Sequence, residues 1–235
     1  MSSLDELLSL QELDAAIDQI PHRRRRLPER AAADEATTLV AELEAARAAA
    51  LERADVATTR IEELETANTA RSTKKARLEQ QLRTVIAPRE AEALMHEIAG
   101  LDAERSVADD EELALLDEVE GAESAVAATD TALVERREVQ RTALAALAEA
   151  ESVLDSEAAD LERRRADAKS PIAPDLLARY DSMRSSFRGT AIARVTGGRC
   201  GACHLDLSRA FLDALKNAPP DTLVECEQCG RLLVL

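Results

Sequence analysis

The chain has four cysteines, and they form two Cys-x-x-Cys pairs, Cys200/Cys203 in GGRCGACH and Cys226/Cys229 in ECEQCGR. A turn of this kind sets two sulfurs on one side, about 2.3 Å from a shared ion, and two such turns complete a tetrahedron around zinc. The 22 residues between the inner cysteines slightly exceed the common spacing, and a helix in that segment accounts for the excess. A redox dithiol of the thioredoxin kind would be a single pair opening a helix after a strand. Four thiolates close the coordination shell, so one Zn2+ here is structural and has no open position for an activated water. His204 follows Cys203. With four thiolates already present, it is expected to lie behind the ligands or in solvent.

Five of the seven glycines lie at or beyond Gly189, as turns around a metal require. The segment reads as strand TAIARV, knuckle GGRCGACH, short strand LDL, helix SRAFLDALKNA, turn PPD, strand TLVE, knuckle CEQCGR and strand LLVL. Gly230 lets the backbone turn left-handed after Cys229, and Gly197, Gly198 and Gly201 are expected to act comparably around the first pair. With one Phe, the segment lacks a core of its own, so metal ligation is expected to supply its folding energy.

Upstream the composition changes. The whole chain has no Trp, one Tyr and two Phe, while 46% of its residues are apolar and 32% charged. That balance suits long helices packed through narrow seams. From Leu94, alternating steps of four and three pass through Ile98, Leu101, Arg105, Ala108, Glu112, Leu115, Val119, Ala122, Val126, Thr129, Leu133, Arg136, Gln140, Ala143, Leu147, Ala150, Leu154, Glu157 and Leu161 in one register, most of them apolar. A weaker row runs Ala50, Ala54, Ala57, Ile61, Leu64, Asn68, Arg71, Lys75, Leu78, Leu82 and Val85, with a separate start at Leu10, Leu13, Ile17 and Ile20. Asn68, Arg71 and Lys75 on such a seam set register or snorkel to solvent. Pro88 stops one helix and opens the next.

In IPHRRRRLPER, Pro21 and Pro28 bracket four arginines, where a kink or local unwinding is expected. The run reads either as a phosphate-contacting patch or, with more weight, as a solvated cluster offsetting nearby carboxylates. After Lys169, Pro171 and Pro174 mark a linker. Leu176, Leu177, Tyr180, Met183 and Phe187 then fall at helical spacing, as the packing face of a docking helix. The fold class is mainly α: a long antiparallel coiled-coil hairpin over 1–169 with its tip near 84–90, a linker and docking helix over 170–189, and a small α+β zinc ribbon with four cysteine ligands over 190–235.

The run LLARYDSMRSSFRGTAIARVTGGRCGACHLDLSRAFLDAL, closing with CEQCGRLLVL, resembles the bacterial family of C4-type zinc-ribbon proteins with an N-terminal coiled-coil hairpin. PREAEALMHEI resembles that family's tip. By this resemblance Cys200, Cys203, Cys226 and Cys229 are the zinc ligands. The family implies an adaptor; some of its flagellar regulators bind an alternative sigma factor through the hairpin and a messenger RNA through the ribbon.

No enzyme constellation is present. His96-Glu97 lacks a second histidine four residues on, there is no phosphate-cradling loop, and the carboxylates sit at repeating exposed positions. The leading expectation is a non-enzymatic adaptor or scaffold that meets protein partners through the hairpin, with the ribbon as a second contact. The alternative is RNA or DNA binding by the ribbon through Arg188, Arg194, Arg199, Arg209 and Arg231. The net charge of −16 lies upstream, and five bases balance five acids from Gly189 onward. Self-association through Leu113, Leu116 and Val134 is a third possibility. No small-molecule substrate is expected. The acidic N-terminus, the lack of a membrane-length apolar run and the paired free thiols point to a cytoplasmic protein off the membrane.

Overall fold

A computed structural model describes residues 3–219 and 222–235. In chain order the elements are α1 (Ser3–Arg25), α2 (Pro28–Leu82), α3 (Pro88–Lys169), α4 (Pro174–Ser186), β1 (Ile192–Thr196), β2 (Arg199–Cys200), α5 (Arg209–Asn217) and β3 (Leu232–Val234). Two compact units result. One is Ala32–Ala143; the other joins Met1–Ala31 to Leu144–Leu235.

The first unit is the helical hairpin. From Ala50 to Leu82 every seam residue of α2 is buried or half-buried, and so is the α3 row from Leu94 to Ala143 except Arg105 and Arg136. Alanines such as Ala57, Ala108 and Ala122 are nearly inaccessible, which allows close helix approach. The polar seam residues reach across to α3. Asn68 Nδ2 donates to Asp109 Oδ1 at 3.1 Å and Arg71 Nε to Glu104 Oε2 at 3.2 Å, while Lys75 pairs with Asp102. Exposed pairs of this kind add little stability, and they form across the seam in the register observed. At the hairpin end, the amides of Thr84 and Val85 both donate to the Gln81 carbonyl, at 3.0 and 3.1 Å. Pro88 then opens α3, where its missing donor costs nothing.

In the second unit α1 continues through Pro21 to Arg25. The expected interruption falls at Arg26–Leu27, at the end of the bracketed run rather than at Pro21, because Pro28 drives Leu27 out of helical geometry and Arg26 N closes a tightened last turn on Arg23 O at 3.0 Å. Two of the four arginines lie against carboxylates of α3, Arg23 on Glu157 and Arg24 on Asp155, and Arg30 beyond the run pairs with Glu151, whereas Arg25 donates to Pro21 O at 3.2 Å.

The sheet order is β2-β1-β3, with β1 antiparallel to β2 and parallel to β3. Strand alternation splits its residues between two cores. Ile192, Leu232 and Val234 pack with Leu4, Leu7 and Leu10 of α1, with Ile172 and with Tyr180 of α4. Ala193 and Leu233 face the other way, onto Cys200, Cys226, Leu207 and Leu215. The ribbon therefore borrows a second core from the helices, and the metal is not its sole source of folding energy.

Two expected strands shrink. LDL keeps only the Arg199↔Asp206 bridge, and TLVE only Glu225↔Leu232, supported by Leu233 N to Val224 O at 2.9 Å. The intervening helix begins one residue later than read, since Ser208 is its cap and accepts from the Phe211 amide at 3.2 Å. Of the expected PPD turn, Pro220 and Asp221 lie outside the described residues.

Candidate metal centre

Each Cys-x-x-Cys pair is held by the same backbone pattern. The amide of Cys200 donates to Leu205 O at 3.1 Å and that of Cys226 to Arg231 O at 2.8 Å. One residue past each second cysteine the backbone turns left-handed, at His204 with φ 60° and at Gly230 with φ 72°. The amides there return to Cys200 O and Cys226 O at 2.8 and 2.9 Å. Gly197 and Gly198 are left-handed as expected, at φ 60° and 79°. Gly201 serves differently. It donates to Arg194 O at 3.0 Å, and an added Cβ would lie 2.6 Å from that oxygen; the position needs close approach rather than a positive φ.

The two knuckles bring the four sulfurs together. Cys200 and Cys229 are 3.9 Å apart, Cys203 and Cys226 4.0 Å, and all four sulfurs lie within 4.8 Å of one another. Sulfurs about 2.3 Å from a tetrahedral zinc are about 3.8 Å apart, so the cluster fits one zinc ion. His204 is exposed and takes no part in the cluster.

Amide hydrogens point at the sulfurs, from Leu205 to Cys203, from Gln228 and Cys229 to Cys226, and from Arg231 to Cys229. Such donors offset thiolate charge and orient the ligands. As free thiols, Cys226 and Cys229 differ. Burial pushes Cys226 up to about 11. Burial acts the same way on Cys229, but the amide and guanidinium of Arg231, with hydrogen bonds from Cys226 and Cys203, outweigh it and bring the thiol to about 7.

Of the five arginines expected as contacts, three are engaged within the molecule. Arg231 is half-buried, donates to Thr190 O at 2.8 Å and stacks 4.8 Å over the Phe187 ring. Arg199 pairs with Asp206 at 2.7 Å, and Arg194 donates to Leu235 O at 3.3 Å. Arg188 and Arg209 are exposed and have no ion-pair partner among the described residues.

Sequence reasoning missed two polar anchors behind the ribbon. Gln11 of α1 behaves like an extra strand residue: its Oε1 accepts from the amides of Ala191 and Ile192 at 2.6 and 2.8 Å, and its Nε2 donates to Ile192 O at 2.9 Å. Asp14, one turn on, is 1% exposed. It accepts from Tyr180 Oη at 2.6 Å and pairs with Arg165 and Arg184.

A coiled-coil hairpin carrying a four-cysteine ribbon on this architecture agrees with two family models. Residues 10–188 match the CT398-like coiled coil hairpin domain, and residues 199–233 match the C4-type zinc ribbon domain. The chain belongs to the CT398-like hairpin family. Within known proteins it is similar to Rv2229c of Mycobacterium tuberculosis, at 30% identity over 232 residues covering 97% of this chain and 93% of that one. CT398 of Chlamydia trachomatis shares the fold with a TM-score of 0.83 at 19% identity, over 98% of this chain and 96% of that one. A Mycobacterium smegmatis protein superimposes with a TM-score of 0.76 at 22% identity, over 100% and 99% of the two chains. HP0958 of Helicobacter pylori superimposes with a TM-score of 0.64 at 17% identity, over 98% and 96%. The matched families are coiled-coil and zinc-ribbon types. Among the described residues, no helix is long and apolar enough to cross a membrane.

Proposed function

We propose that this member of the CT398-like family is a non-enzymatic, cytoplasmic adaptor. Its hairpin meets a protein partner, and its ribbon, held together by one structural zinc, offers a second contact. The observation that carries this reading is the sulfur tetrad. Among the described residues it is the one cluster arranged to hold a metal, and four thiolates leave that metal no open position for substrate or water. That metal therefore offers no catalytic centre, while a hairpin with two long solvent-facing sides has much surface to offer. Four reduced thiols suit a reducing compartment.

Cys200, Cys203, Cys226 and Cys229 hold the ion in this reading, and the amides around them partly neutralise its thiolates. Nucleic acid ranks below protein as the partner. Arg194, Arg199 and Arg231 are engaged within the molecule, so little free positive charge remains to displace counterions from phosphate. The deciding experiment is affinity purification of the full-length protein from its native host, with protein and RNA both identified. The adaptor reading expects a reproducible protein partner that survives nuclease treatment. Captured RNA whose retention falls steeply with salt, with no protein surviving nuclease, would replace it with the nucleic-acid reading.

A further inference from the structure

On one side of the hairpin an open groove of about 850 Å³ lies between Glu65, Thr69 and Ser72 of α2 and Glu112, Leu113 and Leu116 of α3. Its origin is the polar stretch of the seam. Asn68 and Arg71 direct their side chains across to Asp109 and Glu104, and the short hydroxyl residues beside them leave the α2 wall low. On the α3 wall Leu113 and Leu116 stand 63% and 47% exposed. They are three residues apart, the spacing of neighbours on one helical face.

Charge identifies the occupant. Between Asp102 and Glu123 the sequence holds ten carboxylates and a single base, Arg105; Arg105 pairs with Asp109, and Arg60, Arg71 and Lys75 of α2 pair with Glu111, Glu104 and Asp102, which leaves six of the ten without an ion-pair partner among the described residues. Glu65 and Glu112 have no ion-pair partner among the described residues. This acidity repels nucleic acid, and it repels the same face of a second copy. A peptide adding a β-strand needs free backbone groups along a sheet edge, and two helices offer none. What fits is a third helix, apolar along one stripe and basic along its flanks.

We propose that this groove docks a basic amphipathic helix of a partner protein, its apolar residues seated on Leu113 and Leu116 and its lysines or arginines facing Glu65 and Glu112. The proposal rests on the adaptor reading and specifies its hairpin contact. From Arg105 to Leu116 the α3 wall rises about 17 Å, which sets the docked segment at about three turns.

The test uses the full-length, zinc-loaded protein and a synthetic helical peptide of about 18 residues, with Leu at i, i+3, i+4 and i+7 positions and Lys on the flanks. A scrambled peptide of the same composition is the control, and binding is read by fluorescence anisotropy at physiological salt. The patterned peptide should bind, and the double variant Leu113→Ser/Leu116→Ser should weaken it at least about tenfold, because each leucine buries apolar area on docking. Val134→Ser/Val153→Ser, which alters exposed valines outside the groove, should leave affinity within about twofold. Circular dichroism verifies that both variants keep their helices. Equal affinity for the scrambled peptide, or no loss in the groove variant, overturns the proposal. So does concentration-dependent dimerisation that the groove variant abolishes, since this assigns the groove to a second copy. A nuclease-resistant partner from the native host that both wild type and groove variant retain removes the groove and leaves the adaptor standing; absence of any such partner removes the adaptor reading itself.

Discussion

His204 and Gly230 hold equivalent places in the two zinc knuckles. Both are left-handed, at φ 60° and 72°, and both return an amide to the carbonyl of the first cysteine, at 2.8 and 2.9 Å. One is free of conformational penalty and the other is not. A side chain in this region costs about 1–2 kcal/mol, so Gly230→Ala should lose about that much. Its new Cβ would meet only Phe187 Cζ at 3.5 Å, an ordinary contact, which leaves backbone strain as the cause. His204→Gly should be neutral or stabilise by less than about 1 kcal/mol, strain relief being offset by the entropy of glycine. Urea unfolding followed by tyrosine fluorescence reports on this unit, because Tyr180 is the single Tyr in a chain without Trp. Equal destabilisation by both substitutions would refute the equivalence.

The same arrangement shows what was legible in the sequence. Cysteine spacing and glycine placement announced the knuckles because metal geometry is local. The hairpin seams were legible because apolar periodicity persists over many turns, and Pro88 punctuates them. The ribbon's second core was not. Leu7, Leu10, Asp14 and Ile17 fall at steps of three, four and three, so a buried position for Asp14 was available from spacing, but its partners Tyr180, Arg165 and Arg184 are more than 150 residues away. Gln11 gave no signal, since its partners are backbone atoms. The short strands were overextended because three-residue apolar runs do not reveal which of their atoms find a ladder.

Gln11 is expected to matter more than a surface amide would. Gln11→Ala leaves the amides of Ala191 and Ile192 without the oxygen they share, in a region packed between α1 and β1, and one orphaned buried donor costs about 1–3 kcal/mol. Hydrogen exchange at those two amides should accelerate in the variant while exchange in residues 32–143 stays unchanged. Unaltered protection at Ala191 and Ile192 would show that the contact carries no energy.

The buried Asp14 cluster predicts an alkaline limit. Burial, and then the hydrogen bond to Asp14, hold the Tyr180 phenol well above its ordinary 10.0. The folded state therefore keeps a proton that the unfolded chain releases. Stability from this group is fully present below pH 10 and is lost as pH rises beyond it. Phenolate absorbance should appear together with loss of structure, well above pH 10. Tyr180→Phe should cost about 1–3 kcal/mol at neutral pH and flatten the alkaline fall, whereas Asp14→Ala should cost about 3–5 kcal/mol by depriving Arg165 and the Tyr180 hydroxyl of their shared acceptor, Arg184 keeping its pair with Asp18 at 2.6 Å. A freely titrating tyrosine in the folded protein would contradict the geometry.

Metal removal separates the two units. Elemental analysis should find one zinc per chain, and any Cys→Ser change in the tetrad should abolish tight binding, since structural sites contribute about 10–16 kcal/mol of apparent free energy. After chelation, protease should enter the segment from Cys200 to Cys229 first, while the helical signal of residues 32–143, whose seam is independent of the ion, should persist. Immediately after zinc removal, before that segment opens, the freed thiols should react in order. Cys229, brought down to about 7, is about half thiolate at neutral pH, whereas Cys226, pushed up to about 11, is almost wholly protonated and buried. Because thiolate is the reacting form, brief iodoacetamide treatment of the stripped protein should label Cys229 before Cys226 by peptide mass spectrometry. Zinc should protect all four. Late labelling of Cys229 would mean that the Arg231 amide and guanidinium do not shape the site as the geometry requires, and early labelling of Cys226 that its burial does not hold the thiol protonated.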